Sequence, residues 1–200
     1  MKEAVLYTGT FDPYHLGHLW QLERTYRAHP FDKAVVAIIK TNPKKPLASS
    51  WQNRIKLANL MLTSHRLPFV VEVHTIDYIQ PENLKQFAAR YLNGYHIVRT
   101  VASDVIVEFA KDKKFGLNDA LLLFHYTVVV RPTVNQRELE AAIAELPLHI
   151  AKKFSYEIVH VQVEEDISAT NIRQNPKVAF EKGYIIESQL DFIKQKQLYY

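Results

Sequence analysis

The sequence predicts an α/β protein with a mostly parallel sheet, helices on both faces and a helical C-terminal tail. Short apolar segments alternate with amphipathic ones along the chain, as in strands that are joined by crossover helices. The segment Ala34–Ile39 is apolar throughout, which is typical of a strand covered on both faces. A glycine-containing turn follows the first apolar segment, and open α/β sheets bind ligands at the carboxyl ends of their strands.

The predicted elements alternate between strand and helix from residue 4 onward. Strands are predicted at 4–7, 34–39, 69–73 and 95–100, within 121–131, and at 158–163. Helices are predicted between them at 16–27, 49–65, 81–91, 103–111 and 136–145. An apolar stripe at helical spacing marks the first of these helices: Leu16, Leu19, Trp20, Leu22 and Tyr26. Pro81 suits the first turn of its helix, and Ser49 and Gln52 are spaced as a capping box.

Residues 1–200 are predicted to form one domain, because this length can bury a substantial core and contains no repeat or linker. Residues 1–165 form a Rossmann-like core in this prediction. Residues 166–200 form a helical C-terminal part, interrupted near Asn175-Pro176 and Lys182-Gly183. The same part is expected to complete the ligand site.

The composition favours a cytoplasmic protein that handles small anionic molecules. The net charge of +4 is mild, and the basic residues are spread along the chain, which argues against a nucleic-acid partner. No apolar stretch approaches the ~20 residues that span a bilayer. The first strand begins at once, which leaves no room for a signal peptide. The chain has no cysteine, so disulfides, thiolate metal sites and a cysteine nucleophile are excluded. The oligomeric state is not predicted.

Residues 9–18 read Gly-Thr-Phe-Asp-Pro-Tyr-His-Leu-Gly-His and form the most informative segment. Glycine lets the backbone approach a ligand closely, and a helix N-terminus offers free N–H groups to phosphate. His15 and His18 are three positions apart, so they can face one ligand. The pattern indicates a phosphate-handling site. The alternative is a proline-containing turn with two incidental histidines.

Two further segments are candidates for the same site. Residues 167–173, Ile-Ser-Ala-Thr-Asn-Ile-Arg, place the possible helix caps Ser168 and Thr170 one turn before Arg173. Residues 42–45, Asn-Pro-Lys-Lys, follow the second strand. Taken alone, segment 167–173 could be an ordinary capped helix, and segment 42–45 could be a solvated basic loop.

Taken together, these segments resemble the nucleotidylyltransferase superfamily, with its Gly-x-Phe-Asp-Pro-x-His/Thr-x-Gly-His and Ile-Ser-x-Thr-x-x-Arg elements. The resemblance implies catalytic roles for His15, His18, Lys45 and Arg173. It also implies an ATP site formed by Gly9, Thr10, Phe11, Gly17, Asp104, Ser168 and Thr170. Acceptor contacts are expected from Tyr78, Ile79 and Arg54.

In this superfamily the acceptor attacks the α-phosphorus of a nucleoside triphosphate and expels pyrophosphate. A phosphate monoester acceptor is already mostly dianionic at neutral pH, so no general base is required. Catalysis then reduces to positioning and charge neutralisation. Mg²⁺ is expected on the phosphates of ATP, held by phosphate oxygens and water, with no metal ligands from the protein.

Within the superfamily, the chain looks most like the bacterial nicotinate-mononucleotide adenylyltransferases. His15 stands where phosphopantetheine adenylyltransferases carry threonine. The stretch from Ile167 to Tyr199 and the segments Ala102-Ser103-Asp104 and Arg131-Pro132 match the nicotinate-mononucleotide type. The implied partners are ATP and a pyridine mononucleotide. Another phosphorylated acceptor, such as phosphopantetheine, and a non-catalytic nucleotide sensor are the alternatives.

The chain also departs from that family at four positions. Thr8 replaces the first of two glycines, Ile79 replaces a threonine that helps to recognise the nicotinate carboxylate, and Ala102 and Ala169 replace small residues of the ATP site. Because Ile79 has no hydroxyl, we expect a weaker preference for nicotinate over nicotinamide than the family shows.

Overall fold

The computed structural model describes residues 2–43, 46–112, 117–130, 134, 136–160 and 167–199. In this part of the chain one sheet contains the strands β1 (Lys2–Gly9), β2 (Lys33–Ile39), β3 (Val70–Ile76), β4 (Tyr95–Ala102), β5 (His125–Val130) and β6 (Tyr156–His160). The strand order is β3-β2-β1-β4-β5-β6, and all the pairs are parallel. The predicted α/β class with a parallel sheet is therefore confirmed.

Helices connect the strands and extend the chain beyond β6. They are α1 (Leu16–Ala28), α2 (Trp51–Thr63), α3 (Pro81–Tyr91), α4 (Ser103–Lys111), α5 (Gln136–Ala144), α6 (Leu148–Ala151), α7 (Ala169–Gln174), α8 (Pro176–Glu181) and α9 (Glu187–Gln195). A 3₁₀ helix covers Leu117–Leu122. The strand order reverses between β1 and β4, since β2 and β3 extend the sheet on one side of β1 and β4, β5 and β6 extend it on the other. In open α/β sheets ligands bind at this switch point. Among the described helices, none combines the length and the apolar character that crossing a membrane requires.

Both faces of the sheet are covered, which explains the continuous apolar runs. Along β1, Leu6 faces one core cluster and Val5 faces the other, and both side chains are fully buried. A third apolar cluster joins the C-terminal part to α2, with Leu57 packed among Ile172 and Ile193. The tail is therefore docked on the core by buried hydrophobic contacts.

Several predicted boundaries shift in the structure. The first strand is longer than 4–7, and the sixth begins at residue 156, while residues 161–163 of the predicted strand lie outside the described part. The short helix α6 was not predicted, because four residues carry too little periodicity. The capping box of Ser49 and Gln52 was wrong. Ser50 caps α2 instead, accepting a hydrogen bond from the backbone N–H of Asn53 at 3.3 Å.

The predicted breaks in the C-terminal part are confirmed. Asn175 ends α7 and caps α8, since its Oδ1 accepts from the backbone N–H of Val178 at 3.1 Å. Gly183 has a φ of +73°, a conformation that glycine adopts without the Cβ penalty of other residues.

Candidate active site

A cavity of about 200 Å³ opens at the carboxyl ends of β1 and β4. Its wall contains several of the predicted ATP-site residues: Gly9, Thr10, Phe11 and Asp104. The predicted acceptor residues Tyr78 and Ile79 also line it, and so does His18. The structure thus brings residues from four separate segments to one place.

The glycines of the first motif make room for side chains. A Cβ on Gly9 would lie 2.7 Å from the ring of Phe11, which is buried and has a φ of +48°. A Cβ on Gly17 would lie 3.1 Å from the ring of His15 and 3.3 Å from Ile167. Gly17 therefore lets the C-terminal part approach the turn, a packing role in addition to the ligand approach that the sequence predicted.

His18 is held in one orientation on the cavity wall. Its Nδ1 accepts a 3.2 Å hydrogen bond from the backbone N–H of His15. A ring nitrogen that accepts carries no proton, so the neutral imidazole has its proton on Nε2. His18 can thus offer an Nε2–H donor to a phosphate oxygen.

His15 takes a different position from the one predicted. The spacing of the two histidines predicted that both would face one ligand. His15 is instead 3% exposed and is not part of the described cavity wall. Its ring packs on that of His18, with 3.7 Å between the ring centroids. This placement favours support of His18 over direct contact with a ligand in the cavity.

Asp12 connects the first motif to the segment before α2. The residue is 4% exposed, and its carboxylate accepts from the backbone N–H groups of Ala48 and Ser49 at 2.8 and 3.3 Å. The hydroxyl of Ser49 donates to it at 2.6 Å, and that of Tyr199 at 2.7 Å. Four donors satisfy the buried carboxylate, so the turn has a defined geometry.

The second predicted motif reaches the first one through Arg173. Its Nη1 donates to the backbone carbonyl of Asp12 at 2.6 Å, and its Nη2 donates to Oγ1 of Thr170 at 3.1 Å. Ser168 caps α7 as predicted, because its hydroxyl accepts from the backbone N–H of Asn171 at 3.2 Å. Thr170 lies inside the helix and is not its cap.

Sequence reasoning missed the residue that fixes α9 to the turn. Gln189 is fully buried, and its Nε2 donates to the backbone carbonyls of Tyr14 and Leu57, each at 2.8 Å. The backbone N–H of Leu16 also donates to the carbonyl of Tyr184 at 2.9 Å. The sequence offered one signal for this contact, a glutamine at helical spacing from Ile186 and Ile193 and therefore on the apolar face of its helix.

Arg54 was predicted to contact the acceptor, but in the structure it binds backbone carbonyls. Its side chain is fully buried and donates to the carbonyls of Thr10, Ile39 and Lys40 at 2.7, 2.7 and 2.9 Å. Burial lowers the pKa of Arg54, while Asp12 opposes the shift. Arg54 thus ties the ends of β1 and β2 together, a placement that favours positioning over direct contact with the acceptor.

Some predicted residues fall outside the described part of the chain. Lys45 is one of them, and so are Arg131 and Pro132. Conversely, the cavity wall includes two polar residues that the sequence did not single out, Gln21 and Glu108, besides Asn42 of the candidate segment 42–45. Within the described residues, no cluster of three or more His, Asp or Glu side chains could hold a metal ion.

A protein-family model described as cytidylyltransferase-like matches residues 6–175. The chain is 42% identical over 143 residues to phosphopantetheine adenylyltransferase of Aquifex aeolicus, covering 72% of this chain and 81% of that protein. It is 43% identical to a probable nicotinate-nucleotide adenylyltransferase of Helicobacter pylori, but over only 56 residues, 28% of this chain and 32% of that protein.

Solved structures share the fold over the whole chain. Nicotinic acid mononucleotide adenylyltransferase of Plasmodium falciparum complexed with NaAD superposes with a TM-score of 0.75 and 17% identity, covering 100% of this chain and 98% of that one. The same enzyme complexed with APC gives a TM-score of 0.72 at 16% identity, with the same coverage. At this identity the likeness concerns the fold alone.

Proposed function

This chain belongs to the cytidylyltransferase-like family of the nucleotidylyltransferase superfamily, and from that premise we propose that it is a pyridine-mononucleotide adenylyltransferase. The reaction moves AMP from ATP to the phosphate of the acceptor and releases pyrophosphate. The observation that carries the adenylyl-transfer part of the proposal is the position of His18, on the wall of the cavity with its Nδ1 accepting from a backbone N–H.

The proposed chemistry needs no base from the protein. The acceptor phosphate is largely dianionic near pH 7, so one of its oxygens can form a bond to the α-phosphorus of ATP. The bond from that phosphorus to the bridging oxygen breaks, and pyrophosphate leaves with the electron pair. Negative charge grows on the phosphate oxygens during this exchange, and the Nε2–H of His18 is suited to stabilise it. Mg²⁺ enters with ATP as part of the substrate.

Arg173 is the proposed contact for the phosphates of ATP. Two of its five N–H donors hold Asp12 and Thr170, and the planar fork leaves others to bind phosphate oxygens. Asp104, at the start of α4 and on the cavity wall, is proposed to lie near the nucleoside of ATP, as the sequence resemblance implies. Lys45 stays a prediction.

Three observations support a pyridine acceptor. The cavity has aromatic and apolar walls from Tyr78, Ile79 and Phe109, and a flat ring needs such a surface. His15 and the sequence from Ile167 to Tyr199 match the nicotinate-mononucleotide type. The H. pylori relative is a probable enzyme of that type. We propose nicotinate mononucleotide as the preferred acceptor.

Phosphopantetheine is the second candidate acceptor, and the sequence comparison favours it. The A. aeolicus relative, 42% identical over 72% of this chain, is a phosphopantetheine adenylyltransferase. That acceptor also carries a phosphate monoester, so His18 and Arg173 would serve in the same way. The two proposals differ only in the part of the acceptor that lies beyond its phosphate: a pyridine ring in the first and a pantetheine chain in the second.

Pyrophosphate release decides between the candidates. The purified protein is assayed with ATP, Mg²⁺ and one acceptor at a time: nicotinate mononucleotide, nicotinamide mononucleotide or phosphopantetheine. We expect the highest kcat/KM with a pyridine mononucleotide. Turnover with phosphopantetheine alone would establish the second candidate. Tight ATP binding without turnover on any acceptor would instead indicate a nucleotide sensor.

A further inference from the structure

A buried guanidinium lies behind the wall of the cavity. Arg99 is in the middle of β4 and is fully buried. Its Nη2 donates to Oγ1 of Thr8 at 2.7 Å, and its Nη1 donates to the hydroxyl of Tyr126 at 3.0 Å. In the part of the chain that the structure describes, Arg99 has no carboxylate within ion-pair distance.

Neither hydrogen-bond partner neutralises this charge. Burial raises the pKa of Tyr126, and Arg99 only opposes that shift, so the phenol keeps its proton and donates it to the carbonyl of Ala120 at 2.7 Å. The guanidinium also lies 5.4 Å from the ring centroid of Phe109 and 5.5 Å from that of Tyr126. Ring faces attract a cation but do not cancel its charge. A buried, unneutralised charge is costly, so its retention calls for an explanation.

Thr8 connects this charge to the cavity. The residue lies near the end of β1 and is part of the cavity wall. Because Oγ1 accepts from Arg99, the hydroxyl hydrogen is directed away from Arg99, and the adjacent charge makes the hydroxyl a stronger donor. The described residues provide no other hydrogen bond to this hydroxyl.

We propose that Thr8, polarised by Arg99, binds an anionic oxygen of the acceptor. Thr8 stands where the nucleotidylyltransferases that this chain resembles carry the first of two glycines, so its hydroxyl adds a donor that glycine does not offer. It also offers a replacement for the hydroxyl that Ile79 lacks. The anionic oxygen belongs either to the acceptor phosphate or to a carboxylate on its ring. The proposal rests on the proposed function, since it assigns the acceptor side of the same cavity.

Two substitutions at position 8 test the proposal. Thr8→Val removes the hydroxyl at nearly constant shape, and Thr8→Ser retains it. We expect Thr8→Val to lower kcat/KM for the acceptor by about 10- to 100-fold, the range for a hydrogen bond to a charged group. Thr8→Ser is expected to stay within about threefold of the wild type, and the KM for ATP to change little in both variants. Thr127→Val is the matched control, because Thr127 is in β5, off the cavity wall, and bonds to Glu157.

Comparing two acceptors identifies the oxygen. If Thr8→Val lowers kcat/KM for nicotinate mononucleotide only, Thr8 binds the ring carboxylate. If it lowers kcat/KM equally for nicotinamide mononucleotide, Thr8 binds the phosphate. An unchanged acceptor kcat/KM in a folded Thr8→Val protein overturns the inference, and so does a loss no larger than that of Thr127→Val. Absence of turnover in the wild type would instead overturn the proposed function, so the two failures are distinguishable.

Discussion

The hydroxyl of Tyr199 donates a 2.7 Å hydrogen bond to the carboxylate of Asp12, across 187 positions of sequence. Burial, reinforced by the charge of Asp12, raises the pKa of Tyr199 above its usual range, so the phenol keeps the proton that it donates. Arg173 binds the backbone carbonyl of the same aspartate. Two residues of the C-terminal part therefore meet at Asp12 of the first motif, and the C-terminal part shares in the geometry of the site.

Tyr199→Phe should destabilise the protein by about 1–2 kcal/mol, because it removes one charge-assisted donor from a buried carboxylate. Urea denaturation monitored by circular dichroism measures the change. Tyr184→Phe is the control, since the Tyr184 hydroxyl makes no hydrogen bond within the described chain. We expect less than about 0.5 kcal/mol for the control. Equal effects of the two substitutions would contradict the structural role given to Tyr199.

Arg173→Ala should weaken ATP binding by about tenfold, because it removes both the proposed phosphate contact and the support of Asp12. Arg173→Lys should restore only part of the affinity, since an ammonium cannot reproduce the planar fork. Calorimetric titration with ATP checks both variants. Lys177→Ala removes a neighbouring exposed cation and serves as the control. An unchanged ATP affinity in Arg173→Ala would count against this assignment.

His18→Ala should lower kcat by about 10²–10³-fold, with a much smaller change in ATP binding. The reason is that the Nε2–H contact strengthens as charge develops on the phosphates. Steady-state kinetics on the folded variant test this expectation, with the exposed His149→Ala as the control. A kcat equal to that of the wild type would exclude His18 from the chemical step.

The sequence predicted the sheet and the two motifs because each depends on local patterns. Continuous apolar runs marked strands that are covered on both faces, such as β2. The order of strand, glycine turn and helix placed His18 at the carboxyl edge of the sheet, and the structure puts it there.

The contacts that join the site were not predictable from local patterns. Gln189 and Tyr199 lie more than 170 positions from their partners Tyr14 and Asp12, and no periodicity encodes such pairs. The burial of Arg54 and Arg99 was not predicted, for a related reason. A polar residue in an amphipathic helix or a strand is expected at the surface, whereas both guanidiniums are buried on carbonyl or hydroxyl oxygens. The sequence offered one signal for Arg99, which is a charged residue in the middle of the otherwise uncharged strand segment 97–102.

Glu72 should stabilise the protein near neutral pH and not in acid. Lys33, at 2.8 Å, and then His74, at 3.1 Å, lower the pKa of Glu72. When the pKa of a carboxyl is lower in the folded than in the unfolded state, the group stabilises the protein at a pH above its unfolded-state pKa of about 4.3. This stability is lost as the pH falls through the pKa of the folded state. Because the Glu72 side chain is 40% exposed, screening limits the effect to less than about 1 kcal/mol.

The corresponding measurement compares Glu72→Gln with the wild type by urea denaturation. The difference in unfolding free energy should be present near pH 6, shrink with about 0.5 M salt, and vanish near pH 3. Glu145→Gln is the control, because Glu145 is exposed and forms no ion pair within the described residues. A difference between wild type and Glu72→Gln that persists unchanged at pH 3 would contradict the ion-pair explanation.

Ile79→Thr should increase the preference for nicotinate mononucleotide over nicotinamide mononucleotide. Ile79 lies on the cavity wall and is 7% exposed, so a hydroxyl placed there can donate to the ring carboxylate in a largely desolvated setting. Ile79→Val shortens the side chain without adding a donor and separates the hydroxyl from the change in volume. We expect the ratio of the two kcat/KM values to rise about 10-fold in Ile79→Thr relative to Ile79→Val. Equal ratios in the two variants would show that the carboxylate is bound elsewhere on the wall.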